Sequence, residues 1–287
     1  MIRDILPITR AKPESKEDEV ERHRMPLIEH LKELRVRLLW SVAALVVGMG
    51  VGLAFATDVY DFLRAPIMAI FNDQPKNDMD RLYLWLTGPL RGLLPDIHVD
   101  GSLNIGNSPL EGMYSWMQIG LISGAVLASP VIAYHVWQFV APGLYATEKR
   151  WVFPLALSSS FLFISGAMFC YAVLFPVTFP FFLTTLDATA VISVQGYLEA
   201  VVQMMIGLGL CFQLPIVVWF FARIGLIDHR DLIKYFRYAV VVIVFVAAIV
   251  TPTPDILTQS LLSVPLIGLY VLSIAVAWLF TTKVRTP

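Results

Sequence analysis

Residues 38–57 read LLWSVAALVVGMGVGLAFAT, a run without one charged side chain. A helix rises about 1.5 Å per residue, so this run reaches across a hydrocarbon core about 30 Å thick. Such a segment is either hidden in a large core or placed in lipid, and composition decides for lipid. Hydrophobic residues make up 57% of the 287 and charged residues only 15%, where soluble domains carry roughly a quarter charged. Mean hydropathy is +0.70. The triplet Ala54, Phe55, Ala56 resembles the small-residue end of a cleavable leader. The polar segment before it is too long and the apolar core exceeds a leader's, so an uncleaved spanning helix is expected.

Five further apolar runs follow, at about 113–140, 152–183, 197–222, 238–251 and 259–280. The third contains Pro176 and Pro180, so it should cross by Phe175 and then bend. The fifth is short for a bilayer, and the fifth and sixth together read as a pair that thins the membrane locally. Within the outer segment, 80–94 carries an amphipathic piece expected to lie at the surface. With the N-terminus inside, the inner segments hold seventeen of the twenty-one Lys and Arg. The other four lie in 58–112, where eight acids outnumber them. The positive-inside rule therefore puts both termini on the inner side. The expected fold is an all-α integral membrane protein with six transmembrane helices, N-in/C-in. Its parts are a cytoplasmic segment 1–37 with an interfacial amphipathic helix, a membrane domain 38–280 with outer loop 58–112, and a cytoplasmic tail 281–287.

Chemical signatures are sparse. G-x-S-x-G, H-E-x-x-H, a Walker-type loop and C-x-x-C are all absent. Cys170 and Cys211 lie in apolar runs and read as small core hydrophobes. His30 and His135 each sit on an apolar helix edge and read as structural. The G-x-x-x-G pairs Gly48/Gly52 and Gly120/Gly124 imply close helix packing. A net charge of −1 gives nothing to attract nucleic acid. In MPLIEHLKELRVRLL, residues 25–39, Leu27, Leu31, Leu34 and Leu38 form one apolar face. This helix should lie near the inner interface before turning into the bilayer. Glu33 and Arg37 are spaced i, i+4 for an ion pair, so Glu33 is either a surface pair or a binding group. Glu148, in APGLYATEKR, either balances Lys149 and Arg150 or offers a partly desolvated carboxylate at a span boundary. Gln203 and Gln213 are polar at membrane depth, either interhelical glue or functional. Pro215 frees backbone carbonyls beside Gln213, and Thr251, Asp255 and Gln259 cluster at an outer turn.

Four ordered stretches then carry a resemblance: HLKELRVRLL (30–39), SPVIAYHVWQFVAPGLYATEKR (129–150), FQLPIVVWFFARIGLI (212–227) and TPTPDILTQSLLSVPLIGLY (251–270). They resemble the signatures of the TatC family, the large subunit of the twin-arginine, Sec-independent protein translocase. The resemblance implies a concave, glove-like six-helix wall with an outer cap, in the bacterial cytoplasmic membrane. It implies no cofactor and no enzymatic activity. It implies a multimeric complex with TatA- and TatB-type single-span proteins that moves folded proteins on the proton-motive force. By motif match, Glu33 and Glu148 would bind the signal peptide's arginine pair, with Arg35 beside them. Gln213, Thr251 and Gln259 would fall where a partner helix docks. Gln213 matches a position that is Glu in many members, so a proton relay there is weakened. The outer segment 72–108 is longer than the family suggests, and Ala146 stands where some members have a basic residue.

Two other classes are weighed. A small-molecule secondary transporter predicts inverted repeats and a charged mid-membrane site, and an intramembrane enzyme predicts paired Asp, Ser–Lys or metal-ligand spacing in the spans. The sequence has none of these.

Overall fold

The computed structural model describes residues 27–71, 78–88, 103–104, 109–140, 152–179, 192–251 and 256–280. Ten α-helices lie within these residues. They are α1 (Leu27–Ala54), α2 (Ala56–Phe71), α3 (Asp78–Thr87), α4 (Pro109–Val140), α5 (Val152–Phe169), α6 (Val194–Cys211), α7 (Leu214–Arg223), α8 (His229–Lys234), α9 (Phe236–Val250) and α10 (Ile256–Phe280). A two-residue parallel pair, β1 (Leu103–Asn104) with β2 (Ile192–Ser193), joins the outer segments. Five of the helical stretches are long and apolar enough to span a bilayer: 30–54, 111–140, 152–179, 194–223 and 258–280. The remaining apolar helix, α9, has 15 residues, about 22 Å of rise. The sixth run, expected at 259–280, forms α10 with 25 residues and is long and apolar enough to cross, so it does not share the shortness expected of the pair. Only the fifth is short.

The first span also departs from expectation. The inner amphipathic stretch does not turn before entering the membrane; α1 runs unbroken for 28 residues. Its first five turns contain no Gly or Pro, so no position weakens the i→i−4 ladder. The leucine face is turned away from the protein, with Leu31 61% and Leu38 60% exposed. The opposite face packs along α4. There the two G-x-x-x-G motifs meet backbone to backbone. A Cβ on Gly124 would lie 2.9 Å from the Met49 amide nitrogen and 3.0 Å from the Leu45 carbonyl oxygen. In lipid, where water does not drive helices together, such close approach is what makes them adhere. A second pair was not singled out from the sequence. A Cβ on Gly166 of α5 would lie 2.9 Å from the Gly209 Cα of α6.

Prolines shape the rest. In the third span a π-turn, Cys170–Leu174, precedes Pro176, and the Phe175 N–H bonds the Cys170 carbonyl five residues back. The widened turn makes room for the proline ring without ending the helix, which continues to Phe179. The bend expected after Phe175 is thus absorbed within the helix. In α2, Pro66 has no N–H for the Phe62 carbonyl. Tyr171 of the π-turn donates its hydroxyl to that oxygen at 2.5 Å, and Tyr197 donates to the Leu63 carbonyl at 2.7 Å. Phe62 stacks on Tyr171 with ring centroids 4.3 Å apart, so the outer helices are bolted onto the third and fourth spans. Of the amphipathic piece expected over 80–94, the part up to Thr87 belongs to α3, which packs on α2 and the π-turn, and residues 89–94 lie outside the described residues. On the inner side, α7 closes at Gly225, whose φ of 74° suits glycine. Leu226 N–H bonds the Phe221 carbonyl there at 3.0 Å.

The glycine contacts give a test. Gly124→Ala should lower the detergent unfolding stability by about 1–3 kcal/mol. Gly50→Ala, which meets nothing within 4 Å, should leave it within about 0.5 kcal/mol. Equal melting shifts for the two variants would contradict the packing described.

Candidate functional site

The seam between α1 and α4 changes character along its length. Gly48 and Gly52 form its middle, and His30, Glu33, Arg37 and Ser41 continue the same face inward at spacings of three and four. The inner end is held by His30, which stacks on Phe139 of α4 with centroids 4.4 Å apart. His30 and His135 therefore share the inner end of the bundle. Glu33 accepts two N–H groups of Arg37 on its Oε1, from Nε at 3.1 Å and from Nη2. The side chains are only 29% and 15% exposed, respectively, so the pair is more sheltered than a surface ion pair. Arg35, two residues on, points elsewhere and is exposed. Glu148 lies outside the described residues. Its segment leaves α4 at Val140, next to Phe139, and rejoins the described chain at Val152.

A polar layer joins the second, third and fourth spans on the inner side. Ser129 and Ser160 lie 2.8 Å apart through their hydroxyls, and Trp137 donates Nε1–H to Ser159 Oγ at 2.7 Å. Gln213 completes it. The fourth span breaks between α6 and α7 ahead of Pro215, and Gln213 N–H bonds the Leu210 carbonyl three residues back. Its carboxamide donates Nε2–H to the Ser159 carbonyl at 2.9 Å. This use matches the interhelical-glue alternative for Gln213. Below the break, an apolar cleft of about 310 Å³ opens between α5, α7 and α10, lined in part by Pro154, Pro215, Trp219 and Val276.

The outer candidates form a separate cluster on the short α9. Gln259 of α10 donates Nε2–H to the Val244 carbonyl at 2.9 Å, and Gln203 of α6 donates to the Ile249 carbonyl at 3.1 Å. Thr251 is buried, its hydroxyl bonding the Ala247 carbonyl at 3.0 Å. Three side chains thus serve the carbonyls of one helix. On its other side α9 presents Val241, Val242, Phe245 and Ile249, each more than half exposed. The structure therefore brings Glu33 and Arg37 together, and separately Thr251 and Gln259, while Gln213 belongs to neither. Sequence reasoning missed the serine–tryptophan layer. Serines at 129, 159 and 160 inside apolar runs were its only available signal. Among the described residues no group of three or more His, Cys, Asp or Glu is placed to hold a metal.

The site and fold together define a polytopic helical membrane bundle with a sheltered Glu33–Arg37 pair at the inner end of its first helix. The family model described as "Sec-independent protein translocase protein (TatC)" matches residues 29–265. The chain is 34% identical over 263 residues to the TatC of Aquifex aeolicus, covering 90% of this chain and 97% of that one. It is 36% identical over 265 residues to that of Desulforapulum autotrophicum, covering 92% and 88%. A solved structure described as the twin-arginine translocase receptor TatC superposes with a TM-score of 0.70 at 33% identity. That superposition covers 88% of this chain and all of the other. The chain belongs to the TatC family: it is a multi-pass membrane protein and a subunit of the twin-arginine translocase.

The Gln213 bond is testable. Gln213→Leu should cost about 1 kcal/mol of detergent unfolding stability, and Gln213→Glu should be harmless only if its carboxyl stays protonated and donates to the same carbonyl. An unshifted melting curve for the leucine variant would rule the bond out as a tie between the third and fourth spans.

Proposed function

We propose that this chain is the signal-peptide receptor of its translocase, with Glu33 and Glu148 gripping the arginine pair of an incoming signal. The observation that carries this reading is the seat of Glu33. It lies half-buried at the inner end of the α1–α4 seam and already accepts a guanidinium through two N–H groups. A carboxylate so placed is partly desolvated, so charge-assisted bonds to it are stronger than in bulk water. Arginine is always charged and fork-shaped, which suits two fixed carboxylates better than lysine does. Arg35 stands exposed beside the site, where it orders the approach of headgroups or peptide.

In this reading the partners are TatA- and TatB-type single-span proteins in the bacterial cytoplasmic membrane. They dock on the outward face of α9 around Thr251 and Gln259, and the assembly is driven by the proton-motive force. The exposed Val241, Val242, Phe245 and Ile249 give a single apolar helix a surface to lie on. Gln213 is an amide and carries no titrating proton, so proton coupling is assigned to another part of the complex.

Two experiments test these roles. The Glu33→Ala, Glu148→Ala double variant should still accumulate in the membrane and lose export of a twin-arginine reporter by at least about tenfold; normal export would end the receptor reading. A photo-cross-linker at position 259 should capture a single-span partner in native membranes. Capture of none, with export intact, would remove the docking surface from the proposal.

A further inference from the structure

We propose that the apolar cleft between α5, α7 and α10 seats an inner-leaflet phospholipid with an anionic headgroup, one acyl chain in the cleft and the phosphate on Arg223. The inference goes beyond the receptor reading and does not depend on it. The cleft, of about 310 Å³, is an open groove rather than an enclosed cavity. On α5 it is lined by Pro154, Ser158 and Leu162, four residues apart, on α7 by Pro215 and Trp219, and on α10 by Val276. From Pro154 to Leu162 the helix rises about 12 Å, most of one leaflet's hydrocarbon depth of about 15 Å. Because α5 starts at Val152, the groove runs from the inner boundary toward the membrane middle, where Gln213 bonds the Ser159 carbonyl. Left unfilled, such a groove forfeits the dispersion contacts of its lining, and a hydrocarbon chain restores them.

Charge sets the headgroup. Arg223 follows Trp219 by four residues, so it continues the cleft-lining face of α7 to the membrane surface. Helical side chains lean over the preceding turn, which starts the Arg223 stem back toward Trp219. Just beyond, Ile224 and Leu226 are 42% and 67% exposed, which suits a segment lying on the headgroup layer. Arg223, Arg230, Lys234 and Arg237 are all exposed, and among the described residues none of them pairs with a carboxylate. The two acids of this stretch are engaged locally. Asp228 Oδ1 lies 2.6 Å from His229 Nδ1, and Asp231 accepts the Asp228 N–H at 3.2 Å. Lys234 and Arg237 lie over the rings of Tyr235 and Tyr238, whereas Arg223 and Arg230 have neither kind of partner among the described residues. The rim is therefore cationic and short of a counter-ion. That charge repels the cationic end of an arginine-pair signal and attracts a phosphate, which a guanidinium holds through parallel N–H groups. Bound there, the lipid joins α5 to α7 and α10, which already meet where Trp219 stands edge-on to Phe280 at 6.0 Å.

Trp219 is a built-in reporter. The full chain is reconstituted in phosphatidylcholine vesicles containing increasing fractions of chain-brominated phosphatidylglycerol or chain-brominated phosphatidylcholine. The Trp219 share of the quenching is the difference between the parent and Trp219→Phe. Phosphatidylglycerol should reach half-maximal quenching of that share at about a tenfold lower fraction than phosphatidylcholine. Arg223→Gln should shrink this preference about fivefold, and Arg223→Lys should keep most of it. Val276→Phe, which narrows the groove, should weaken quenching by both lipids. Equal quenching by the two lipids in the parent would leave only an unselected boundary lipid and overturn the proposal. So would an unchanged preference in Arg223→Gln, or undiminished quenching in Val276→Phe. If Arg223→Gln does not accumulate, the comparison of the two lipids on the parent still decides. If neither lipid quenches Trp219 and an arginine-pair signal peptide shifts its emission, the groove belongs to a peptide and the proposal falls.

Discussion

Hydrocarbon offers backbone groups no hydrogen-bond partner, and this constraint organises the molecule from end to end. At several of its breaks and short helices, side chains from one helix bond the backbone carbonyls of another. Pro66 orphans the Phe62 carbonyl and Tyr171 reaches it. The fourth span breaks before Pro215, and the Gln213 carboxamide at the break joins the third span. The carbonyls of α9 take Gln203, Gln259 and Thr251. Apart from the Thr251 bond, which stays within its own helix end, these bonds cross between elements, so side-chain bonds to the backbone are also the joints of the tertiary structure. Polar residues that look anomalous in a hydrophobic sequence become, in three dimensions, the rivets of the bundle.

Close packing supplies what those joints do not. The Gly48–Gly124 and Gly166–Gly209 contacts bring backbones into touch in two successive helix pairs. Dispersion at such short range is the main adhesive available where the surroundings are as apolar as the protein. The α1–α4 seam therefore has two functions along one face. Its glycines fix the helix axes, and its inner, charged end inherits a defined position from that fixed geometry. In the proposed receptor role, a carboxylate on a mobile arm would lose ordering entropy on every capture, whereas Glu33 stands on a helix packed against its neighbour.

Much of this was legible in the residues. Uncharged runs and their flanking lysines and arginines give the spans and their order, because length and charge are the quantities the bilayer measures. The G-x-x-x-G spacing led correctly to the α1–α4 contact, and the i, i+4 spacing to the Glu33–Arg37 pair. Three features were not legible. The continuity of α1 through Arg37 was hidden because a change in polarity resembles a change in structure. The π-turn before Pro176 was hidden because proline reports that the ladder must change, not how. The tyrosine bolts of Tyr171 and Tyr197 join residues more than a hundred positions apart, which no local pattern encodes. Glu148, for its part, rests on motif resemblance, since the described residues end at Val140 and resume at Val152.

The unbroken first helix has a mechanical consequence. From its closest approach to α4 at Gly48, α1 extends about 22 Å inward to Glu33 and about 9 Å outward to Ala54. Beyond the single turn at Phe55 the outer helices are attached to the far arm. Held to α4 at its inner end by His30 on Phe139 and at its outer end by Leu53 on Gly120, α1 is braced on both arms, so a displacement at either membrane surface is carried by the two helices as one unit.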